Sequence, residues 1–305
     1  MKKVLVIVGP TSVGKSDLSI RIASLLPSEI ISGDSIQVYR QLTIGSAKIT
    51  DDEMKGVTHH CIDSLDYNES YSVYDFQTQA RTAIDKITSI GKLPIIVGGT
   101  GFYIKAALYD YTFETEEEIV IDELTEETSE ELYQKLNEID PQAALKIHPN
   151  NRKRLIRALT IASHGKLKSE IENEQTHQPL YDIYMVVLDV NRDILHQRIE
   201  QRVDRMFANG LLEEVNTYFG DPKSWVYQSF QGIGYKEWMP YLQGKQSIQE
   251  VRQSIIVHTR QFAKRQYTWF RHQFKANWVD SSDEKAINTV LEEIKDWSNQ
   301  PKGEL

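Results

Sequence analysis

A single stretch near the amino terminus, Val4-Leu-Val-Ile-Val-Gly-Pro-Thr-Ser-Val-Gly-Lys-Ser16, narrows the choice of fold more than anything else in this chain. Val4 to Val8 is an unbroken apolar, largely β-branched run, the pattern of a strand buried on both faces of a parallel sheet. Gly9-Pro10-Thr11-Ser12-Val13-Gly14-Lys15-Ser16 matches G-x-x-x-x-G-K-[ST] without a mismatch, and Leu18, Ile22 and Leu25 repeat at helical spacing behind it. Strand, glycine-bounded loop and helix are the setting in which this motif binds phosphate. Gly9 and Gly14 let backbone N–H groups approach phosphate oxygens, Lys15 adds a point charge, and Ser16 offers a hydroxyl to Mg²⁺. A diphosphate ligand is expected. The motif does not say what the diphosphate is attached to.

The chain of 305 residues is long enough for one large α/β domain with an insertion. Met1-Lys2-Lys3 leads directly into the first strand, and no apolar run reaches the length of a bilayer span. The single cysteine, Cys61, excludes an internal disulfide framework and a multi-cysteine zinc site. A cytoplasmic monomer with no membrane contact is expected. The net charge of −9 argues against nucleic acid on average, but an average hides basic patches.

Glu29 to Ser32 reads as a second strand, with Asp34 just past its carboxyl end, where ligands of open α/β sheets sit. From its place alone Asp34 is either a proton acceptor facing the loop or a turn aspartate. Ser72-Val-Tyr-Asp75 has capping-box spacing and opens a helix through Ile87, and Ile95 to Val97 is a third strand ending in Gly98-Gly99-Thr100. His59-His60 could suggest a metal site, but adjacent side chains on a strand point to opposite faces, which favours a structural role. From Glu114 to Glu131 the composition turns to Glu, Asp and Thr, marking the start of an inserted helical segment. Within it Arg152, Lys153, Arg154 and Arg157 crowd a helix whose buried stripe is Leu155, Ile156 and Leu159, with Gly165 at its stop. Ile183 to Leu188 returns to the sheet and ends in Asp189, which could act as a Walker-B acid. On the next helix Arg198, Arg202 and Arg205 share one face and Leu195, Ile199, Val203 and Met206 another. The arginines can pair with Glu200 and Asp204, or clamp phosphates in the manner of a kinase lid. Arg252 to Lys275 contains no acid, and interleaves Arg260, Lys264, Arg265 and Arg271 with Tyr267, Trp269 and Phe270. That pattern suits RNA, with Trp269 and Phe270 read as core. Trp278 to Asp280 and Ala286 to Trp297 read as a last strand and a closing helix.

Several of these segments together closely resemble the tRNA dimethylallyltransferase family. They are the phosphate loop, Asp34-Ser-Ile-Gln-Val-Tyr-Arg40, Gly45-Ser-Ala-Lys48, Val97-Gly-Gly-Thr-Gly-Phe-Tyr103, Arg198 to Met206, Ile233-Gly-Tyr-Lys-Glu237 and Thr259-Arg-Gln-Phe-Ala-Lys-Arg-Gln266. The likeness covers nearly the whole chain. It implies transfer of a dimethylallyl group from dimethylallyl diphosphate to N6 of the adenosine 3′ to the anticodon in tRNA, with Mg²⁺ held through Ser16. It also implies Asp34, Thr100 and Arg202 as catalytic residues. The tRNA contacts it implies are Asp34, Ser35, Ile36, Gln37, Thr100, Lys153, Arg154, Arg157, Gly234, Arg260, Lys264 and Arg265. The expected architecture is a P-loop, kinase-like parallel sheet with helices on both faces, formed by residues 1–112 and 182–305, with residues 113–181 as the helical insertion. Ser16 replaces a threonine common in relatives and keeps the hydroxyl, while Ile49 follows Lys48 where many relatives have proline. The Cys/His finger of eukaryotic relatives is absent, as in a bacterial-type member. A small-molecule or nucleoside kinase, an adenylate prenyltransferase and a nucleotide-dependent RNA-binding switch are the competing readings, and the absence of an Asn-Lys-x-Asp motif argues against the switch. The two basic segments favour RNA over a free nucleotide.

Overall fold

The apolar run at Val4–Val8 sits mid-sheet, between two parallel neighbours, with every one of its side chains fully buried. The computed structural model describes residues 1–113, 124 and 126–300. Six strands, all parallel, form one sheet in the order β3-β2-β4-β1-β5-β6. They are β1 Lys3–Val8, β2 Ser28–Gly33, β3 His59–His60, β4 Leu93–Gly98, β5 Asp182–Asp189 and β6 Asn277–Asp280. Val6 lies level with Ile96 on one side and Met185 on the other. The connection from β1 runs outward past β4 to β2, and the carboxyl ends of β1, β2 and β4 open onto one side of the sheet, the side where such folds bind ligands.

The helices of this α/β fold that matter below are α1 Lys15–Leu25, α2 Val73–Ser89, α3 Gly101–Leu108, α4 Ser129–Ile139, α5 Pro141–Lys146, α6 Arg152–Ser163, α7 Lys168–Glu174, α8 Arg192–Ala208, α9 Leu211–Phe219, α10 Ile248–Gln273 and α11 Glu284–Asn299. Local chemistry sets their starts. Ser72 and Asp75 form the expected capping box at α2, and Ser247 with Glu250 forms another at α10. Asn151 caps α6 by accepting a hydrogen bond from Arg154 N. Phe270 is fully buried in the core, and Trp269, half-buried, meets it edge to face and packs against that core. Among the described residues no helix is long and apolar enough to cross a membrane.

Two compact units are present, Met1–Tyr109 with Pro179–Leu305, and Asp110–Gln178. The second has its own small core, in which Leu132, Leu136, Leu155, Ala158 and Leu159 are buried. Ile156, expected in the buried stripe of α6, is only partly covered, and Ala158 takes the inner place. Buried Asp140 ties α5 to α7 there, accepting from Ala143 N at 3.0 Å and Ser169 N at 2.9 Å. Of the acidic stretch Glu114–Glu131, residues 114–123 and 125 lie outside the described residues. Glu131 caps α4 through Thr128, and Glu127 pairs with Lys135.

Candidate active site

Past β1 the backbone passes so close to β5 that a Cβ at Gly9 would stand 2.6 Å from the Leu188 carbonyl oxygen. Gly9 and Gly14 adopt φ of +145° and +105°, a region that favours glycine, and Gly14 is the N-cap of α1. The turn so formed aims α1 and its unpaired N–H groups at the cleft. Lys15 Nζ donates back to the carbonyls of Gly9 at 3.1 Å and Pro10 at 2.7 Å. Protein crowds this ammonium, and desolvation, aided by nearby Arg202 and opposed by Asp34, lowers its pKa to about 7.

At the next strand end, Gly33 and Gly98 lie level in β2 and β4, and a Cβ on Gly98 would collide with the Gly33 carbonyl at 2.2 Å. Asp34 follows. Its Oδ1 accepts from the N–H groups of Ile36 at 2.9 Å and Gln37 at 3.3 Å, while Oδ2 has no hydrogen-bond partner among the described residues. One oxygen of Asp34 thus closes a turn, and the residue lines the cleft. Thr100 N donates to Gly33 O at 3.2 Å, and the Thr100 side chain caps nothing at the start of α3.

The third wall is α8. Leu195, Ile199, Val203 and Met206 are buried as the spacing predicts. Arg202 donates through Nη2 to Ser46 O at 3.0 Å, and Arg198 reaches Val13 O and Ser281 Oγ, both at 3.2 Å. Burial lowers the pKa of Arg202, and the charge of Asp34 opposes that shift, as it does at Lys15. Arg205 bonds Gln201 O on its own helix.

A cleft of about 1180 Å³ is lined by Thr11 to Ser16, Asp34 to Gln37, Thr100, Arg202, Gly234 and Arg265. Gly9 and Pro10 lie behind it. Arg260 is engaged by Glu200, and Lys264 is exposed and outside the cleft. Lys153, Arg154 and Arg157 are exposed on α6 in the other unit. Asp189 is turned elsewhere: Oδ1 accepts from Val190 N at 2.7 Å and Oδ2 stands 3.9 Å from Arg271. It does not line the cleft, which weakens the kinase reading that needed it as a metal-binding acid.

Both histidines of the pair at β3 are engaged by the protein. His59 Nδ1 contacts Val57 O at 2.8 Å, and His60 Nε2 contacts Glu29, which also pairs with Lys92 at 2.8 Å. No group of three or more His, Cys, Asp or Glu among the described residues could hold a metal ion. A divalent ion carried in by a diphosphate needs less: the Ser16 hydroxyl at the start of α1 and the ligand's own oxygens form a suitable hard donor set.

Two residues to which the sequence reading gave no role hold this site together. Gln266, on α10, is 5 % exposed; its Oε1 accepts from Thr11 N and its Nε2 donates to Gly99 O, both at 3.0 Å. Glu214, on α9, accepts from the backbone of the Thr43–Gly45 loop. Each is a polar residue on a helix's apolar stripe, the one signal that could have marked it.

The IPP transferase family model matches residues 37–273. A tRNA dimethylallyltransferase of Exiguobacterium sp. is 48% identical over 288 residues, covering 92% of this chain and 91% of that one. Among solved structures, a tRNA delta(2)-isopentenylpyrophosphate transferase from Staphylococcus epidermidis is similar with a TM-score of 0.72 and 39% identity, covering 98% of this chain and 99% of that one. A eukaryotic dimethylallyltransferase acting on tRNA reaches a TM-score of 0.87 at 32% identity, covering 100% of this chain and 81% of that one. A parallel sheet with a phosphate loop at its centre, and a likeness that runs nearly end to end, lead to one assignment: the chain belongs to the IPP transferase family, that of the tRNA dimethylallyltransferases.

Proposed function

We propose that this protein transfers the dimethylallyl group of dimethylallyl diphosphate to N6 of the adenosine 3′ to the anticodon in tRNA, working as a cytoplasmic monomer. The observation that carries this reading is the cleft in which the phosphate loop, Asp34 and Arg202 face the same space. An exocyclic adenine amine is a poor nucleophile because its lone pair is delocalised into the ring. Reaction therefore needs a stabilised leaving group, an aligned allylic carbon and removal of a proton. The N6–C1 bond forms as the C1–O bond breaks, and diphosphate departs with the electron pair. Negative charge grows on that oxygen, where loop amides, Lys15 and Arg202 oppose it. Asp34 takes the amine proton, a role worth about 10² to 10⁴ in rate, and Thr100, which lines the same cleft, orients the base. Met206, Ile255 and Phe262 supply apolar surface to the same cleft for the prenyl tail.

Mg²⁺, held through the Ser16 hydroxyl and the diphosphate oxygens, adds positive charge to the leaving group when bound. The target base must leave its stack to enter such a pocket. Ser35, Ile36, Gln37 and Gly234 line the cleft for RNA contact, and Lys153, Arg154, Arg157, Arg260, Lys264 and Arg265 supply phosphate contacts. The test is incubation with dimethylallyl diphosphate, Mg²⁺ and unmodified tRNA, followed by nucleoside mass analysis. Dimethylallyl adenosine at the anticodon-adjacent site is expected. No modified nucleoside, together with transfer of the γ-phosphate of ATP to a small acceptor, would overturn the reading.

A further inference from the structure

The loop Thr43–Ser46 carries no charged group, yet the residues around it are arranged to hold it still. Glu214 is 7 % exposed and pairs with no cation among the described residues. Its Oε2 accepts from Thr43 N at 2.8 Å, Thr43 Oγ1 at 3.0 Å and Ile44 N at 2.8 Å. Its Oε1 accepts from Gly45 N at 2.9 Å and from the Tyr235 hydroxyl at 2.8 Å. Three successive backbone N–H groups converging on one carboxylate make an anion nest, here filled by the protein's own side chain. A carboxylate buried without a cation is tolerated only when its lone pairs are satisfied, and five donors do so.

The clamp extends one residue further. The Tyr235 hydroxyl that donates to Glu214 also accepts from Ser46 N at 3.1 Å. Close approach is built in: a Cβ at Gly45 would stand 2.5 Å from the Tyr235 ring, and one at Gly234 would stand 2.7 Å from Gly45 O. What the fixed loop presents to the cleft is the Ser46 carbonyl, which accepts from Arg202 Nη2 at 3.0 Å. Among the described residues no carboxylate is hydrogen-bonded to Arg202, and this carbonyl is the contact that orients its guanidinium.

We propose that Glu214 is a positioning residue for the diphosphate site, clamping Thr43–Ser46 so that the Ser46 carbonyl aims Arg202 at the leaving group. The proposal rests on the reading that Arg202 binds diphosphate. A neutral amide at residue 214 would fill the same volume but set an NH₂ group against N–H or O–H donors, loosening the loop without emptying the core.

The experiment measures the affinity of Mg²⁺–pyrophosphate by calorimetry for the full chain and for Arg202→Ala, Glu214→Gln, Tyr235→Phe and the double variant Glu214→Gln with Arg202→Ala. Arg202→Ala is expected to weaken binding tenfold or more, Glu214→Gln about tenfold, and Tyr235→Phe less but in the same direction. In the Arg202→Ala background Glu214→Gln should add almost nothing, because the residue it acts through is gone. A merely structural role would weaken binding equally in both backgrounds, and that additivity would overturn the proposal. So would unchanged binding in Glu214→Gln and Tyr235→Phe beside a clear loss in Arg202→Ala, which leaves the reading of Arg202 intact. No loss in Arg202→Ala would refute that reading instead, and this proposal with it. Should Glu214→Gln not fold, the same cycle run with Tyr235→Phe, which keeps the ring, decides the matter.

Discussion

Gln266 and Thr11, 255 residues apart in sequence, are joined by a 3.0 Å hydrogen bond from the Thr11 backbone N–H to the Gln266 side-chain oxygen. The same amide donates to Gly99 O, so one side chain of α10 ties the phosphate loop to the end of β4. Opposite partner types fix the amide's orientation, since an N–H demands the oxygen and a carbonyl the NH₂. The packing is close: a Cβ on Gly99 would stand 2.2 Å from Gln266 Nε2, and one on Gly101 would stand 2.2 Å from the Trp269 ring. Thr11 N is thereby committed to the protein, leaving later amides of the loop for ligand.

Gln266→Leu should be destabilising, because it leaves two part-buried backbone groups, Thr11 N–H and Gly99 O, without their partner, at up to about 1–3 kcal/mol each where water does not replace it. Gln266→Glu should keep the acceptor for Thr11 N, lose the donor to Gly99 O and place negative charge beside the diphosphate site. Chemical unfolding and pyrophosphate titration separate the two effects. Leu is expected to lower stability most and Glu to lower affinity most; the reverse ranking would show that the bridge does not shape the loop.

Asp34→Asn should lower turnover on tRNA by two to four orders of magnitude, the usual worth of a general base, while diphosphate affinity changes little. The turn survives, since an asparagine oxygen can still accept from Ile36 N and Gln37 N. Single-turnover kinetics beside pyrophosphate binding make the check. Near-normal turnover in the Asn variant removes Asp34 from the chemistry and leaves only its turn.

Much of this architecture is legible in the sequence because the signals are local. The run Val4–Val8, the glycines of the phosphate loop and the Ser72–Asp75 capping box each settle their geometry within a few residues. Arg260 shows where local reading ends. In a stretch without acids it looks available for RNA, yet its partner Glu200 lies sixty residues earlier on α8. Glu214 is hidden in the same way: Leu-Leu-Glu-Glu-Val reads as an ordinary amphipathic helix, and only its spacing from Leu211 and Val215 places it inward. The nest that receives it belongs to residues 43–45, which no pattern in α9 foretells.

Exposure divides the basic residues proposed for RNA. Lys264 and Arg265 are exposed, as are Lys153 and Arg154, whereas Arg260 pairs with Glu200 and has a buried Nε. Replacing Lys264 and Arg265 together by alanine should weaken tRNA binding and flatten its salt dependence by roughly 0.7–0.9 log unit per lost phosphate contact. Arg260→Ala should change the slope less than Lys264→Ala. Binding isotherms between low and moderate salt decide it, and an unchanged slope in the double variant shows those charges to be ordinary surface.

Lys15 should make diphosphate binding depend on pH. Desolvation and Arg202 hold its pKa at about 7, well below the usual 10.5 of a lysine. The sign follows from linkage. A lysine with a lowered folded pKa binds fewer protons folded than unfolded between pH 7 and 10.5, so stability of the ligand-free fold rises with pH through that window. A diphosphate favours the ammonium and raises this pKa again, so above pH 7 each binding event takes up a proton. Affinity should then fall as pH rises from 7, by up to about tenfold per pH unit until the ligand-bound pKa is reached. Pyrophosphate titrates as well, so the comparison is Lys15→Arg, whose guanidinium stays charged throughout. Calorimetry at pH 8 in two buffers of different ionisation enthalpy should show proton uptake in the native protein, reduced in Lys15→Arg by the share that Lys15 contributes. Equal proton uptake in both would mean that Lys15 is already charged before the ligand arrives.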